Sequence, residues 1–129
     1  MNIAIDNLLV GWLGMLGGVA SGAVIGLFFH REDWMGGYTS YRRRMTRLGH
    51  ISFFGLGFLN MMFALTASLV ALPPTALRLA SLGLILGAVT MPACCFLSAW
   101  REPFRHLFPI PVAGLSTGIV ALLAGWGAS

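Results

Sequence analysis

Residues 7–29 have the sequence NLLVGWLGMLGGVASGAVIGLFF, in which no side chain is charged. A helix needs about 20 apolar residues to cross the hydrocarbon core of a bilayer, which is roughly 30 Å thick. The segment therefore predicts a transmembrane helix. Three further segments predict the same, at residues 50–72, 76–99 and 111–128. Strands of a membrane barrel would alternate apolar and polar positions, and these segments do not.

The composition of the whole chain agrees with a membrane protein. Of its 129 residues, 57% are hydrophobic and only 9% are charged, whereas about 25% is usual in soluble domains. So few charges cannot cover a water-soluble surface, and a disordered chain would be polar and poor in aromatic residues. We predict an all-α integral membrane protein with four transmembrane helices in an up-down bundle, forming a single domain over residues 1–129.

Prolines mark the ends of the segments. Pro73 and Pro74 end the second helix and fit the first turn of the third, so these two helices are expected to form an antiparallel hairpin. Two polar connections remain, at residues 30–49 and 100–110. The basic stretch 41–48 is able to extend the second helix toward its N-terminus. Because no basic residue precedes the first segment, we expect that helix to be kept rather than cleaved as a signal peptide.

The placement of arginine predicts an orientation. Seven of the eight basic residues lie in the two polar connections, and only Arg78 lies on the other side of the membrane. Cytoplasmic loops carry an excess of basic residues, so we expect both connections in the cytoplasm and both termini in the periplasm. Trp12 and Trp126 near one boundary, and Trp34 and Trp100 near the other, fit the aromatic belts of a membrane protein. The expected location is a bacterial inner membrane.

Small residues repeat along three of the helices at spacings of three or four. These ridges are Gly14, Gly18, Gly22 and Gly26 in the first helix, Gly83 and Gly87 in the third, and Gly114, Gly118, Ala121 and Gly125 in the fourth. Such spacing lets two helix backbones approach closely in lipid. Either the ridges pack the four helices on one another, or at least one of them packs on another protein. For the first ridge we expect contact with the fourth helix or a neighbouring subunit, with Gly18 and Gly22 least tolerant of bulk.

Three histidines lie on the arginine-rich side, namely His30, His50 and His106. Histidine is a common axial ligand of haem iron and can also bind the magnesium of a chlorophyll. His50 is the strongest candidate, because two phenylalanines and a glycine share its helix face and leave room for a flat ring. The alternative is that all three histidines form hydrogen bonds with lipid head groups and neighbouring loops at the membrane interface.

Two further polar features have predicted contacts. Asn60 lies well inside the second segment, and an amide in hydrocarbon needs a partner, so we expect it to bond another helix or a bound ligand. The basic run of Arg42, Arg43, Arg44 and Arg47 is expected to contact anionic lipid head groups or a partner subunit. Nucleic acid is not an expected partner of so short a patch beside a membrane span.

No signature of a nucleophilic enzyme, a phosphate-binding loop or a zinc site occurs in the sequence, so neither catalysis nor a metal site is expected. We expect a small accessory subunit of a larger membrane complex, for example an energy-transducing one, that packs through its glycine ridges. Two alternatives remain. The first is a haem- or chlorophyll-binding protein that uses His50 in electron transfer or light harvesting. The second is a small transporter or channel, which the lack of an acid or lysine at mid-depth disfavours.

Overall fold

Four long helices make up most of the structure, a computed structural model that describes residues 3–127. They are α1 (Ile3–Phe28), α2 (Tyr41–Leu69), α3 (Pro74–Trp100) and α4 (Pro109–Trp126), and the fold is 87% helical. Short 3₁₀ segments lie in the first and third connections, at Trp34–Gly36 and Glu102–Leu107. Four stretches, namely α1, α2, α3 and Glu102–Trp126, which includes α4, are long and apolar enough to cross a membrane, which confirms the predicted number of long apolar helices. Residue 128, the predicted end of the fourth segment, lies outside the described residues.

The helix α2 begins at Tyr41, well before the predicted membrane segment that starts at His50. Ser40 sets this start, because its Oγ accepts a hydrogen bond of 3.1 Å from the backbone N–H of Arg43. A serine at this position satisfies one of the free amide groups of the first turn. The basic stretch at the start of α2 is therefore helical and rigid, and the first connection is shorter than the predicted residues 30–49.

The helices pack in chain order, α1 on α2, α2 on α3 and α3 on α4. α1 also meets α3, so the first three helices form one group, whereas α4 is attached to that group through α3. Within residues 3–127, α4 makes at most marginal contact with α1 and α2. α3 is accordingly the most enclosed helix. In its most apolar stretch 44% of the residues are buried, whereas the figure is 17% for α1 and for the segment that contains α4.

Glycine backbones bring α1 and α2 together. A Cβ atom added to Gly14 would lie 3.0 Å from the Cα of Gly57, and one added to Gly57 would lie 2.9 Å from the carbonyl oxygen of Gly11. The expectation that the fourth helix or a neighbouring subunit packs on this ridge is wrong. The ridge faces α2 instead, because α2 follows in the antiparallel direction and presents its own glycine at the crossing point.

The remaining glycines of α1 meet side chains or open space. A Cβ atom added to Gly18 would lie 2.6 Å from the Phe54 ring, and one added to Gly22 would lie 2.6 Å from Cε1 of His50. Nothing lies within 4 Å of a Cβ atom at Gly26. The atoms that meet Gly14 and Gly57 are backbone atoms, whereas those that meet Gly18 and Gly22 belong to side-chain rings. That Gly18 and Gly22 are least tolerant of bulk stays a prediction.

The other two ridges face each other across the α3–α4 interface. A Cβ atom added to Gly83 would lie 2.8 Å from the Cα of Gly118, and one added to Gly118 would lie 3.0 Å from the backbone nitrogen of Leu84. A Cβ atom added to Gly114 would lie 3.3 Å from the carbonyl oxygen of Gly83. All three ridges therefore contribute to packing within the chain, since lipid supplies no hydrophobic drive for helix association.

We predict that Gly57→Ala separates α1 from α2 and destabilises the protein by about 1–3 kcal/mol, the usual effect of overpacking. Gly55→Ala is the matched control on the same helix, because nothing lies within 4 Å of a Cβ atom there. It should be neutral or stabilise by up to ~1 kcal/mol, as alanine favours a helix over glycine. Thermal unfolding of the purified protein in detergent measures both, and equal midpoints for the two variants would contradict the crossing.

Candidate functional site

The buried amide of Asn60 joins three helices. Its Oδ1 accepts a hydrogen bond of 2.7 Å from Nδ2 of Asn7 in α1. Its Nδ2 donates to the carbonyl oxygen of Leu84 in α3 at 3.2 Å, and to that of Leu56 in its own helix at 2.9 Å. The hydroxyl of Ser81 in α3 donates to Oδ1 of Asn7 and completes the network. Asn60 therefore bonds neighbouring helices, which is the kind of partner that an amide in hydrocarbon requires.

Asn7 and Ser81 are members of this network that the sequence pattern does not single out. Asn7 stands at the predicted start of the first segment, where an amide would face the head groups. α1 in fact begins at Ile3, which moves Asn7 inside the helix, and both asparagines are fully buried. The amides bond one another and the backbone, so this network holds helices together rather than offering groups to a ligand.

His50 lies half-buried between α1 and α2, and three neighbours fix its ring. Its Nδ1 lies 3.0 Å from the Oγ of Ser21. The ring stands edge-on to Phe54, with the two ring centroids 5.4 Å apart. Its Cε1 faces Gly22, whose missing side chain provides the space. The imidazole is therefore held in one orientation by α1 and by its own helix.

The second ring nitrogen of His50, Nε2, forms no hydrogen bond with any residue between 3 and 127 and keeps some accessible surface. It lies on the α1 side of the ring, since a Cβ atom added to Gly22 would lie 3.3 Å from it. The hydroxyl of Ser21 has two neighbours, Nδ1 of His50 and the carbonyl oxygen of Gly18 at 3.1 Å. When this hydroxyl donates to Gly18 it accepts from Nδ1–H, and the lone pair of a neutral imidazole is then on Nε2, where it can bind a metal.

The other two histidines are exposed and lie outside the long helices. His30 follows α1, and His106 lies in the 3₁₀ segment before α4. In the described part of the chain, no three side chains of His, Cys, Asp or Glu come together as a metal-binding group. The structure thus does not unite the three predicted histidines in one site, and His50 differs from the other two in its fixed orientation.

Arg43 is buried, with 2% of its surface exposed, and binds the C-terminal end of α1. Its Nη2 donates to the carbonyl oxygen of Phe29 at 2.9 Å, and its Nη1 donates to that of Arg31 at 3.2 Å. The guanidinium also lies 5.1 to 5.5 Å from the ring centroids of Phe29, Trp34 and Tyr38. The expectation that Arg43 contacts lipid or a partner is wrong, because its side chain is buried against the turn that follows α1, where backbone carbonyls and the partial negative charge of the helix end attract a cation.

The neighbouring arginines divide between the fold and the surface. Arg42 binds the end of α3, since its Nε donates to the carbonyl oxygen of Ala99 at 3.1 Å. Arg47 lies over the ring of Tyr38, at 4.4 Å from the centroid. Arg44 is exposed. Lipid or partner contact thus remains a prediction for Arg42, Arg44 and Arg47.

Away from its glycine contact with α3, α4 exposes a set of mostly small or polar residues, here called the outer stripe: Ala113, Ser116, Thr117, Val120 and Ala124. Ala113 and Thr117 border α3, since they line a groove with its leucines, and exposed larger side chains of α4 flank the stripe. The spacing of three or four residues in the stripe puts its members on one face of a helix that turns about 100° per residue. The hydroxyls of Ser116 and Thr117 have no hydrogen-bond partner within residues 3–127, whereas those of Thr66 and Ser68 bond carbonyls of their own helix.

Ser116 and Thr117 lie near the middle of α4, far from either end of the span. In hydrocarbon neither water nor lipid tails supply a hydrogen-bond partner, so such hydroxyls turn to a carbonyl of their own helix or to a neighbouring helix. The outer stripe therefore combines mostly small side chains with two hydroxyls that bond no other described helix. Both properties suit contact with another helix, which brings its own backbone carbonyls or polar side chains.

No protein-family model, curated protein or solved structure matches this chain. Three features of the molecule therefore carry its functional interpretation. They are the accessible Nε2 of His50, the outer stripe of α4, and the arginine-rich end at which α1 and α3 finish and α2 begins.

Removing the Arg43 side chain should destabilise the fold. Arg43→Ala removes this donor from the carbonyl oxygens of Phe29 and Arg31 in the turn after α1, and hydrogen bonds from a charged group contribute about 1.5–3 kcal/mol. Thermal unfolding in detergent measures the loss. Arg44→Ala removes the same charge from the exposed neighbour and should change the midpoint little. If both variants lose the same stability, the net charge matters and the contact with α1 does not.

Proposed function

We propose that this protein is a small, non-catalytic accessory subunit of a larger membrane complex, of which energy-transducing complexes are one class. It docks on a transmembrane helix of another subunit through the outer stripe of α4. The observation that supports this proposal is the pair of exposed hydroxyls, Ser116 and Thr117, without a partner in residues 3–127. Ala113 and Ala124 beside them allow a second backbone to come close, and hydroxyls bond across such helix pairs.

The position of α4 in the bundle also supports docking at this face. α4 is attached through α3, and the glycines Gly114 and Gly118 are already engaged there. The outer stripe is exposed and therefore accessible to a partner helix without any rearrangement of α1, α2 or α3. Because the glycine ridges pack mostly within the chain, the outer stripe is the surface that we propose for the partner.

Isosteric changes test the stripe. Thr117→Val combined with Ser116→Ala removes both hydroxyls and keeps the helix shape, so the isolated protein should unfold at an unchanged temperature. The partner subunit should no longer co-purify from native membranes in mild detergent, because the bonds between the two helices are lost. Thr66→Val is the matched control, since its hydroxyl bonds the Met62 carbonyl of its own helix at 2.9 Å.

Two outcomes would contradict the accessory role. One is that the variant without hydroxyls retains the same partner as the unmodified protein. The other is that Thr117→Cys cross-links only to a second copy of this chain, which would make the outer stripe a homodimer interface rather than a contact with a larger complex.

We also propose a location and an orientation. The arginine-rich end faces the cytoplasm of a bacterial cell, and both termini of the chain face the periplasm across the inner membrane. The support is the uneven distribution of arginine, because basic residues accumulate in cytoplasmic connections. α1 and α3 finish at this end and α2 begins there, so the basic residues of both connections lie at one end of the bundle.

Thiol labelling of intact cells tests this orientation. A reagent that does not cross membranes should label Gly127→Cys, near the end of the chain, and should not label Arg44→Cys. Both positions are exposed, so access to the thiol depends on the side of the membrane alone. The native Cys94 and Cys95 are buried and give little background. Labelling of Arg44→Cys without labelling of Gly127→Cys would reverse the proposal.

A second candidate function is the binding of haem or chlorophyll for electron transfer or light harvesting. One observation favours it, namely the accessible Nε2 of His50 in an imidazole whose other nitrogen bonds Ser21. Arg47 lies one helical turn before His50 and so on a neighbouring part of the same face. An arginine at that distance suits an acidic group at the edge of a bound macrocycle.

Absorption spectra test this candidate. The protein loaded with haem is expected to give a Soret band that His50→Ala removes, because the lone pair on Nε2 is the ligand. His30→Ala is the control, since that histidine is exposed and lies outside the helices. A band of equal strength in both variants would exclude His50 as the ligand.

A further inference from the structure

A cleft of about 420 Å³ opens between α1 and α3 at the arginine-rich end. Val24 and Ile25 of α1 and Phe96 and Ala99 of α3 form its walls, and Arg42 of α2 lies at its outer end. The two walls join near the opposite end of the bundle, at the asparagine network, and leave this space between them. The volume falls within the range of about 300–1,000 Å³ typical of ligand sites.

The connection after α1 forms one side of the cleft and is held in an unusual conformation. Met35 lines the cleft with a φ of +55°, which few residues other than glycine adopt. Its carbonyl oxygen accepts a hydrogen bond of 2.7 Å from Ser40, and its sulfur accepts one of 3.3 Å from Thr46. Gly36 and Gly37 follow with φ of +87° and +96°, where glycine is required. These contacts make a defined wall.

The cleft contains one positively charged side chain, Arg42, and only part of its guanidinium forms hydrogen bonds. Arg42 uses its Nε for the carbonyl oxygen of Ala99, and its two terminal nitrogens have no partner among residues 3–127. No acidic side chain belongs to the lining in that part of the chain. From Arg42 the cleft extends to Ser21, roughly 10 Å before the end of α1. It is thus an apolar channel with a cationic group at its outer end.

We propose that this cleft binds one acyl chain of an anionic phospholipid, with the lipid phosphate on Arg42. The apolar walls accept the chain, and the two free nitrogens of the guanidinium match the oxygens of a phosphate. Basic pockets between transmembrane helices bind anionic head groups in this way. Trp34 and Trp100 line the same cleft and suit the level of the head groups.

The preference for a lipid with net negative charge comes from a second cation. Arg101 lies over the ring of Trp100, at 4.8 Å from the centroid, and so lies beside the cleft. Two arginines favour a phosphatidylglycerol over a phosphatidylcholine, whose choline would meet like charge. The site uses neither the outer stripe nor His50, so it is tested on the isolated protein and independently of the proposed function.

Native mass spectrometry of the protein released from nanodiscs provides the test. In nanodiscs with equal parts phosphatidylglycerol and phosphatidylcholine, the unmodified chain should retain one phosphatidylglycerol. Arg42→Gln should retain at least about tenfold less, the effect of losing one charge-assisted contact. Arg44→Gln changes the same charge on an exposed side chain outside the cleft, and its retention should match that of the unmodified chain. Equal retention by the two variants would overturn the proposal.

A second variant tests the cleft without removing the hydrogen bond between Arg42 and the end of α3. Val24→Phe fills the cleft and leaves Arg42 intact, and Val24 is 57% exposed, so the fold should tolerate the larger side chain. The thermal midpoint should stay constant while the bound lipid is lost. Undiminished lipid in this variant overturns the proposal. Equal retention of the two lipids, or retention of a quinone in their place, overturns it as well.

Discussion

The hydrogen bond between the amides of Asn7 and Asn60 is the contact on which the arrangement of the first three helices depends. Both amides are fully buried, and in hydrocarbon an unpaired amide costs several kcal/mol. α1 and α2 must therefore pack in the register that pairs them. That register brings Gly14 opposite Gly57, where the missing side chains set the distance between the two backbones. Ser81 then adds α3 to the same point.

The same need for partners explains the opposite end of the bundle. A carbonyl group in the turn after α1 and one at the end of α3 need donors, and two consecutive arginines of α2 supply them. The helix dipoles add to this attraction, because α1 and α3 both end there with partial negative charge. Basic residues that would suit an anionic surface thus serve the fold as well, and this explains why Arg43 is buried.

The number of helices and their positions follow from the sequence, because hydropathy is a sum over about 20 residues and is insensitive to single contacts. The ridges are recognisable as packing surfaces for a similar reason, since their spacing is local. The helix that each ridge faces is not recognisable, because Gly14 carries no information about Gly57. Asn7 and Arg43 escape prediction because their burial depends on residues far away in the sequence. The outer stripe is not predictable from the sequence either, because its exposure depends on which side of α4 packs on α3.

The orientation of His50 shows, for one side chain, what sequence alone cannot predict. Its position beside phenylalanines is visible in the sequence, but the contact between its Nδ1 and the hydroxyl of Ser21 in another helix is not. Likewise, the cleft at Arg42 exists because α1 and α3 diverge, and no single segment of the sequence predicts the distance between two helices. Features that a single helix determines were predictable, and features that arise between helices required the structure.

The two arginine contacts differ in how much chain they span, and this difference has a consequence for biogenesis. Arg43 bonds residues that precede it by 12 and 14 positions, so the contact can form once α1 and the start of α2 have emerged during synthesis. The contact of Arg42 with Ala99 spans 57 positions and must wait until α3 has been inserted. The start of α2 thus anchors first the helix before it and then the helix after it. Vectorial synthesis would in this way build the three-helix group from its N-terminal end and add α4 last, at the free side of α3.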